Sequence, residues 1–231
     1  DKGLSSSDAE KLWSTFEYFS GYGFNKSHAV GYSILSYQCA WLLNYHPAEW
    51  LSAFLNEEPE AKKEKAINTA KSLGYDIQEV SINESGKSWQ ISSDGKLVQP
   101  LTSIKGLGEK AIEQILTNRP FKTVEDFLFN EDVSYSKLNK KALDVLVRSG
   151  ACDDIFADDS RFKHARHFWL SAVSERPKTK KKLSENIVAT ASEPNFTEEE
   201  KIDNIVSLTG IFPFEIVLDR KVKDRIEQNS V

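Results

Sequence analysis

Two glycine-containing turns, each leading into a helix, hold the residues whose types and spacing fit chemistry. In the first, Gly21-Tyr-Gly-Phe-Asn-Lys-Ser-His-Ala29 opens an apolar helix predicted to run to about Tyr45. Asn25 is placed to cap that helix, because its side-chain oxygen accepts from the first free amides. Lys26, Ser27 and His28 fall in the first turn, where unpaired N–H groups and the helix dipole favour an anion. A cation, a hydroxyl and an imidazole at such an end form a candidate phosphate cradle. Tyr32 lies four residues after His28 and shares its face, with Gly31 alongside. A plainer arrangement fits too: Lys26 solvated, His28 packed in a core, and Gly31 admitting a neighbouring helix at about 1 kcal/mol relative to Ala. Local physics leaves both open.

The second turn is Gly106-Leu-Gly108. Pro100 to Lys105 is predicted as a short helix and Glu109 to Asn118 as a second, with Ala111, Ile112, Ile115 and Leu116 on its apolar face. Ile-Lys-Gly-Leu-Gly-Glu-Lys-Ala resembles the helix-hairpin-helix motif, which binds DNA backbone without reading sequence. Such a site needs glycines whose backbone can approach a phosphate closely. Leu107 would anchor the turn, the following helix would present free amides, and Lys105 and Lys110 would add charge. An ordinary packing corner between two helices also explains a lone Gly-x-Gly. After Pro120, a helix capped by Thr123 and another from Asn139 to Arg148 repeat the pattern without the glycine turn. This second copy reads as support for the first.

The remaining elements must position these two turns. An amphipathic helix with Ala9, Leu12, Phe16 and Phe19 on one face precedes the first. Its end is expected at Gly21 and Gly23. Beyond it, Val30, Ile34, Tyr37 and Trp41 form a helical stripe, and Pro47 and Pro59 each open a further helix. In the last of these, Ala66, Ala70 and Leu73 face inward before Gly74. Tyr75 to Ile82 is β-like, and Trp89 to Ile91 and Lys96 to Val98 flank a turn that reads as a β-hairpin. A helix is predicted from Arg161 to Ser174, where His164 and His167 are spaced like a metal pair but lack a nearby third ligand. Arg176-Pro-Lys-Thr-Lys-Lys-Lys182 is a basic run that either touches phosphates or keeps a linker soluble. Thr197 and Glu200 form a capping box that opens a last helix, ending at Gly210.

The first turn also carries a longer resemblance. Its wording, followed by Tyr32, Ser36-Tyr-Gln38, Trp41-Leu42 and His46-Pro-Ala-Glu49, is similar to the C family of replicative DNA polymerases, the bacterial polymerase III alpha subunits. That resemblance implies a place in the fingers, with Asn25, Lys26, Ser27, His28 and Tyr32 beside an incoming deoxynucleoside triphosphate. It further implies template-primer DNA as a partner, a palm upstream carrying the catalytic carboxylates, and Mg²⁺ for the parent enzyme. A sliding clamp is a possible partner of the parent, and Phe212-Pro-Phe214 resembles the passage to a further domain. No catalytic or metal-binding residue and no cofactor is assigned to the chain itself.

Together these readings predict a mainly α fold with a small β-hairpin (α+β). A helical fingers unit spans residues 1–74 and a β-like connection 75–99. A tandem helix-hairpin-helix unit spans 100–155 and a packing helix 156–175. A basic flexible linker covers 176–196, and a C-terminal helix and onward passage cover 197–231. The alternative reading is a free-standing, non-catalytic DNA-binding or scaffold module.

Composition narrows the field. At 231 residues and 39% hydrophobic the chain can bury a core, and its formal charge of -5 restricts nucleic-acid contact to local patches. Cys39 and Cys152 form neither a disulfide framework nor a metal-ligand spacing, which fits a reducing, cytoplasmic setting. No signal-peptide pattern or membrane-length apolar run is present, so no membrane partner is expected. With no methionine at all, the sequence reads most simply as a fragment of a longer polypeptide.

Overall fold

The computed structural model describes residues 3–22 and 25–213 and divides the chain into two units, up to Trp50 and from Leu51 onward. The division falls earlier than the boundary near residue 74 that the sequence suggests. Gly23, Phe24, the side chain of Phe19 and the passage beyond Pro213 lie outside the described residues.

In the first unit α1 (Ser6–Tyr22) continues through Gly21, and α2 (Lys26–Tyr45) follows. The helical periods are as the sequence predicts, yet their apolar faces are open. Leu12, Phe16, Val30, Ile34, Tyr37 and Trp41 are all exposed, and no residue of α2 is buried. These stripes are exposed apolar surface among the described residues.

α3 (Pro47–Glu57) crosses the division between the units. Within the second unit its Leu51 and Leu55 are buried, while Ser52 and Asn56 donate to the Trp89 carbonyl and the Asn56 side-chain oxygen accepts the Trp89 amide. α4 (Glu60–Ser72) buries Ala66, Ile67 and Ala70, and Gly74 stops it with φ +84°. Leu73, expected inside, is the C-cap and is half exposed. The predicted hairpin exists: β2 (Gln90–Ile91) pairs antiparallel with β3 (Leu97–Val98). Strand β1 (Ile77–Gln78) adds in parallel on the other side of β3, a long-range pairing that local alternation does not signal.

The core lies among the helices that follow. A 3₁₀ turn (Leu101–Ser103) precedes α5 (Glu109–Asn118), then come α6 (Val124–Phe129), α7 (Lys140–Arg148) and the single turn α8 (Asp153–Phe156). Ile104, Ile115, Phe127, Leu138, Leu143 and Leu146 are at most 1% exposed and belong to one cluster. Phe121 meets Phe127 edge to face at 5.2 Å, a favoured aromatic geometry. Thr123 caps its helix as predicted, accepting from the Asp126 amide, and Asn139, read as the first helical residue, is the N-cap that accepts from the Ala142 amide. The fold class is therefore mainly helical α+β.

Two later segments differ from expectation. The helix predicted over Arg161–Ser174 is shorter: α9 (Ala165–Trp169) passes into a π-helical turn, Leu170–Ser174. Residues 176–196 are not a flexible linker, because Lys180–Ala189 forms α10, capped by Thr179. Its Leu183 and Ile187 are buried, and the Asn186 side-chain amide donates to the Ser171 and Glu175 carbonyls that the π turn leaves free. The lysines simply occupy the exposed first turn of a docked helix. α11 (Glu198–Thr209) has the predicted capping box and a left-handed Gly210. Among the described residues no helix is long and apolar enough to cross a membrane.

Candidate nucleic-acid interface

The Gly106–Gly108 turn is built by three constraints. Gly106 has φ +88°, a conformation that costs an L-residue about 1–2 kcal/mol. Leu107 is buried at 8% exposure and fixes the turn to the core. The Lys105 amide donates to the Leu208 carbonyl at 2.8 Å, so the turn also satisfies an orphan carbonyl in the last turn of α11. Gln99 Nε2 does the same for Thr209 at 3.3 Å. This brace arrives from more than a hundred residues along the chain, and nothing in the local sequence announces it.

Gly108 differs from Gly106. It is the N-cap of α5 in ordinary extended geometry, φ -77°, and a Cβ placed on it would meet nothing within 4 Å. It therefore imposes no strain on the free turn. Its significance is what it omits: no side chain caps α5, and the Glu109 and Lys110 amides find no acceptor among the described residues. Lys105 and Lys110 are exposed beside them. Glu109 would oppose an anion there, but Lys87 holds it in an ion pair at 2.5 Å. That hydrogen bond and charge lower the carboxyl below its ordinary range and raise the Lys87 ammonium. Sequence reasoning missed Lys87 because it lies in an irregular loop twenty-two residues upstream.

The second helical pair has the same outline with one change. Asn139 stands at the N-cap of α7 after a fully buried Leu138, as Gly108 follows buried Leu107. Asn139 Oδ1 accepts the Ala142 amide at 3.0 Å, so this end caps itself. Arg148, at the far end of α7, reaches the Asn204 side-chain oxygen with Nε at 2.8 Å and Nη2 at 2.6 Å, tying α7 to α11.

In the other unit, Asn25 caps α2 as predicted, accepting the Ser27 amide at 3.0 Å and the Ser27 hydroxyl at 2.6 Å. The hydroxyl assigned to an anion is thus engaged by the cap. The His28 and Tyr32 ring centroids lie 4.3 Å apart with their planes tilted by 54°, so they do share a face, and both are exposed. The packed reading of His28 is incorrect, and Gly31 has no close neighbour within 4 Å of an added Cβ. Lys26 is exposed at the same end.

The other titratable groups have structural explanations. His167 is buried, its Nδ1 accepting the Lys163 amide and its Nε2 bonding the Ile187 carbonyl. His164 caps α9, and burial lowers its pKa. Among the described residues no group of three or more His, Cys, Asp or Glu is placed to hold a metal ion. Asp153 is the most perturbed carboxyl: burial, then Glu79 and Asp154, push its pKa to about 7 against the opposing Lys201.

Comparison with known proteins agrees with this architecture. Residues 74–162 match the family model described as the helix-hairpin-helix motif. The chain is similar to a segment of DNA polymerase III subunit alpha. It is 32% identical to that protein from Thermus aquaticus over 214 residues, covering 90% of this chain and 17% of the relative. Against the Pseudomonas fluorescens protein identity is 33% over 184 residues, 74% of this chain and 16% of the relative. Against the Escherichia coli K12 protein it is 29% over 224 residues, 94% and 19% respectively. The chain thus spans less than a fifth of the length of these relatives.

Proposed function

We propose that this chain is the part of a replicative DNA polymerase that grips the template-primer backbone through the Gly106–Gly108 hairpin. The observation that carries this reading is the uncapped start of α5, whose Glu109 and Lys110 amides stand open beside a braced glycine turn. Such an end accepts a phosphate oxygen without further adjustment. Phosphate contacts position a duplex and carry no base information, so binding is sequence-independent. The match to the helix-hairpin-helix motif and the polymerase relatives supports the same assignment.

The α2 end is the second part of the proposal. Lys26, His28 and Tyr32 bring a cation and a tilted pair of rings together at one exposed helix start, which suits the phosphates of a deoxynucleoside triphosphate. Asn25 and Ser27 then shape the turn more than they hold the ligand. The exposed stripes of α1 and α2 are the surfaces by which the remaining polymerase domains, the palm among them, would dock. Nucleotide addition by the parent requires metal-binding carboxylates, and these, with Mg²⁺, would belong to the parent's palm. The chain alone accordingly adds no nucleotides.

Fluorescence anisotropy with unrelated duplex sequences tests the hairpin assignment. Equal, weak affinities are expected, with a log–log salt slope of only a few units, since each neutralised phosphate contributes about -0.9. Affinity that differs strongly among the sequences contradicts it, as does a free-standing module that selects one site.

A further inference from the structure

We infer that Lys141, from the second helical pair, completes the phosphate-binding turn of the first. This rests on the assignment of the Gly106–Gly108 turn to DNA backbone. Lys141 is the second residue of α7, as Lys110 is the second residue of α5. α7 packs so that a Cβ placed on Gly106 would stand 3.6 Å from Val145 Cγ1 and 3.9 Å from Lys141 Cε. Val145 faces the core at 6% exposure, whereas Lys141 is exposed and its ammonium has no hydrogen bond or ion pair among the described residues. The side chain therefore lies beside the glycine turn with its charge uncommitted. A Cβ on Gly106 would stand in ordinary contact with the Lys141 stem, which places that stem against the turn.

The adjacent residue shows that the placement is selective. Lys140 Nζ donates to the Ser174 carbonyl at 2.7 Å, fixing its charge to a structural role. At the start of α7 Asn139 holds the Ala142 amide, whereas the Lys140 and Lys141 amides, like those of Glu109 and Lys110 in α5, have no acceptor among the described residues. In the inferred site the second helical pair supplies the Lys141 charge to a turn whose amides belong to the first. The ligand class is a phosphodiester of duplex nucleic acid.

The paired substitutions Lys141→Gln and Lys140→Gln in the full chain test this, because each removes one charge from neighbouring positions. Duplex affinity is read by anisotropy across a salt series, with melting curves confirming the fold. Lys141→Gln is expected to weaken all duplexes alike and flatten the salt slope by about 0.9, with Lys141→Arg restoring it. Lys140→Gln should leave the slope at the parental value. Equal flattening by both variants, or none by Lys141→Gln, overturns the inference while leaving the hairpin assignment standing. Absence of duplex binding by the unmodified chain overturns both.

Discussion

Gly108 and Asn139 stand at matching N-caps of two helical pairs, and only Asn139 caps its own helix. Both ends leave their first two amides without an acceptor among the described residues, and the third differs: Asn139 Oδ1 takes the Ala142 amide, whereas the Ala111 amide bonds back to the Gly108 carbonyl. A side chain thus stands over one end and not the other, and the end proposed to bind phosphate is the one without it.

Removing the closed cap should cost stability and little else. Asn139→Ala leaves the Ala142 amide without its acceptor, and loss of such a cap typically costs about 1 kcal/mol. For a unit of this size that corresponds to a melting shift of roughly 2–4 °C. Unchanged melting contradicts the structural role assigned to Asn139.

Gly106 should respond as a backbone position. Its φ of +88° is strained for any L-residue, although an added Cβ would stand only in ordinary contact with Val145 and Lys141. Gly106→Ala is expected to destabilise by about 1–2 kcal/mol, visible in urea unfolding as a lower midpoint with an unchanged slope. Equal stability of the variant refutes this account of the turn.

Asp153 gives a pH dependence with a definite sign. Its folded pKa of about 7 lies above the ordinary carboxyl value of 3.8. The folded state therefore binds more protons than the unfolded state between these values, and its stability falls as pH rises from about 4 to 7. The full difference corresponds to a few kcal/mol at most, at about 1.4 kcal/mol per pKa unit. Asp153→Asn should flatten this part of the curve and raise stability at pH 8 relative to pH 5. Parallel pH profiles for the two proteins contradict the assignment.

At the other candidate site, Lys26→Ala and His28→Ala in the complete polymerase should impair nucleotide use by about 1.5–3 kcal/mol for each charge-assisted hydrogen bond removed. Both side chains are exposed, so folding should survive. Unchanged single-turnover kinetics in both variants exclude the phosphate role.

Much of this arrangement was legible in the sequence, because its causes are local. Asn25, Thr123 and Thr197 announce helix starts through short polar side chains, and each caps as read. Leu107 and the period of Ala111, Ile112 and Ile115 set out the buried face of the hairpin. What was not legible depends on distance. The Lys105–Leu208 brace, the Lys87–Glu109 pair and the parallel β1–β3 pairing join residues whose spacing carries no signal. α10 was hidden by a basic run that drew attention to charge, although Leu183 and Ile187 already held a helical period. Gly31 suggested a close helix approach, yet among the described residues nothing lies within 4 Å of an added Cβ there, since glycine permits contact without requiring it.

The most direct measurement is the duplex affinity of Gly108→Val. The free turn has open space at this position and unstrained backbone, so the variant should fold as the parent does. The added branched side chain would nevertheless stand beside the Glu109 and Lys110 amides, where a phosphate must approach. To remove attraction from the first turn of α10, the comparison is made with Lys178, Lys180, Lys181 and Lys182 changed to glutamine in both proteins. The account predicts that the parent on this background still binds duplex DNA and that Gly108→Val, with an unchanged melting curve, loses most of that binding. A correctly folded Gly108→Val protein that binds as tightly as the parent would contradict it, and the hairpin would then be only a packing corner.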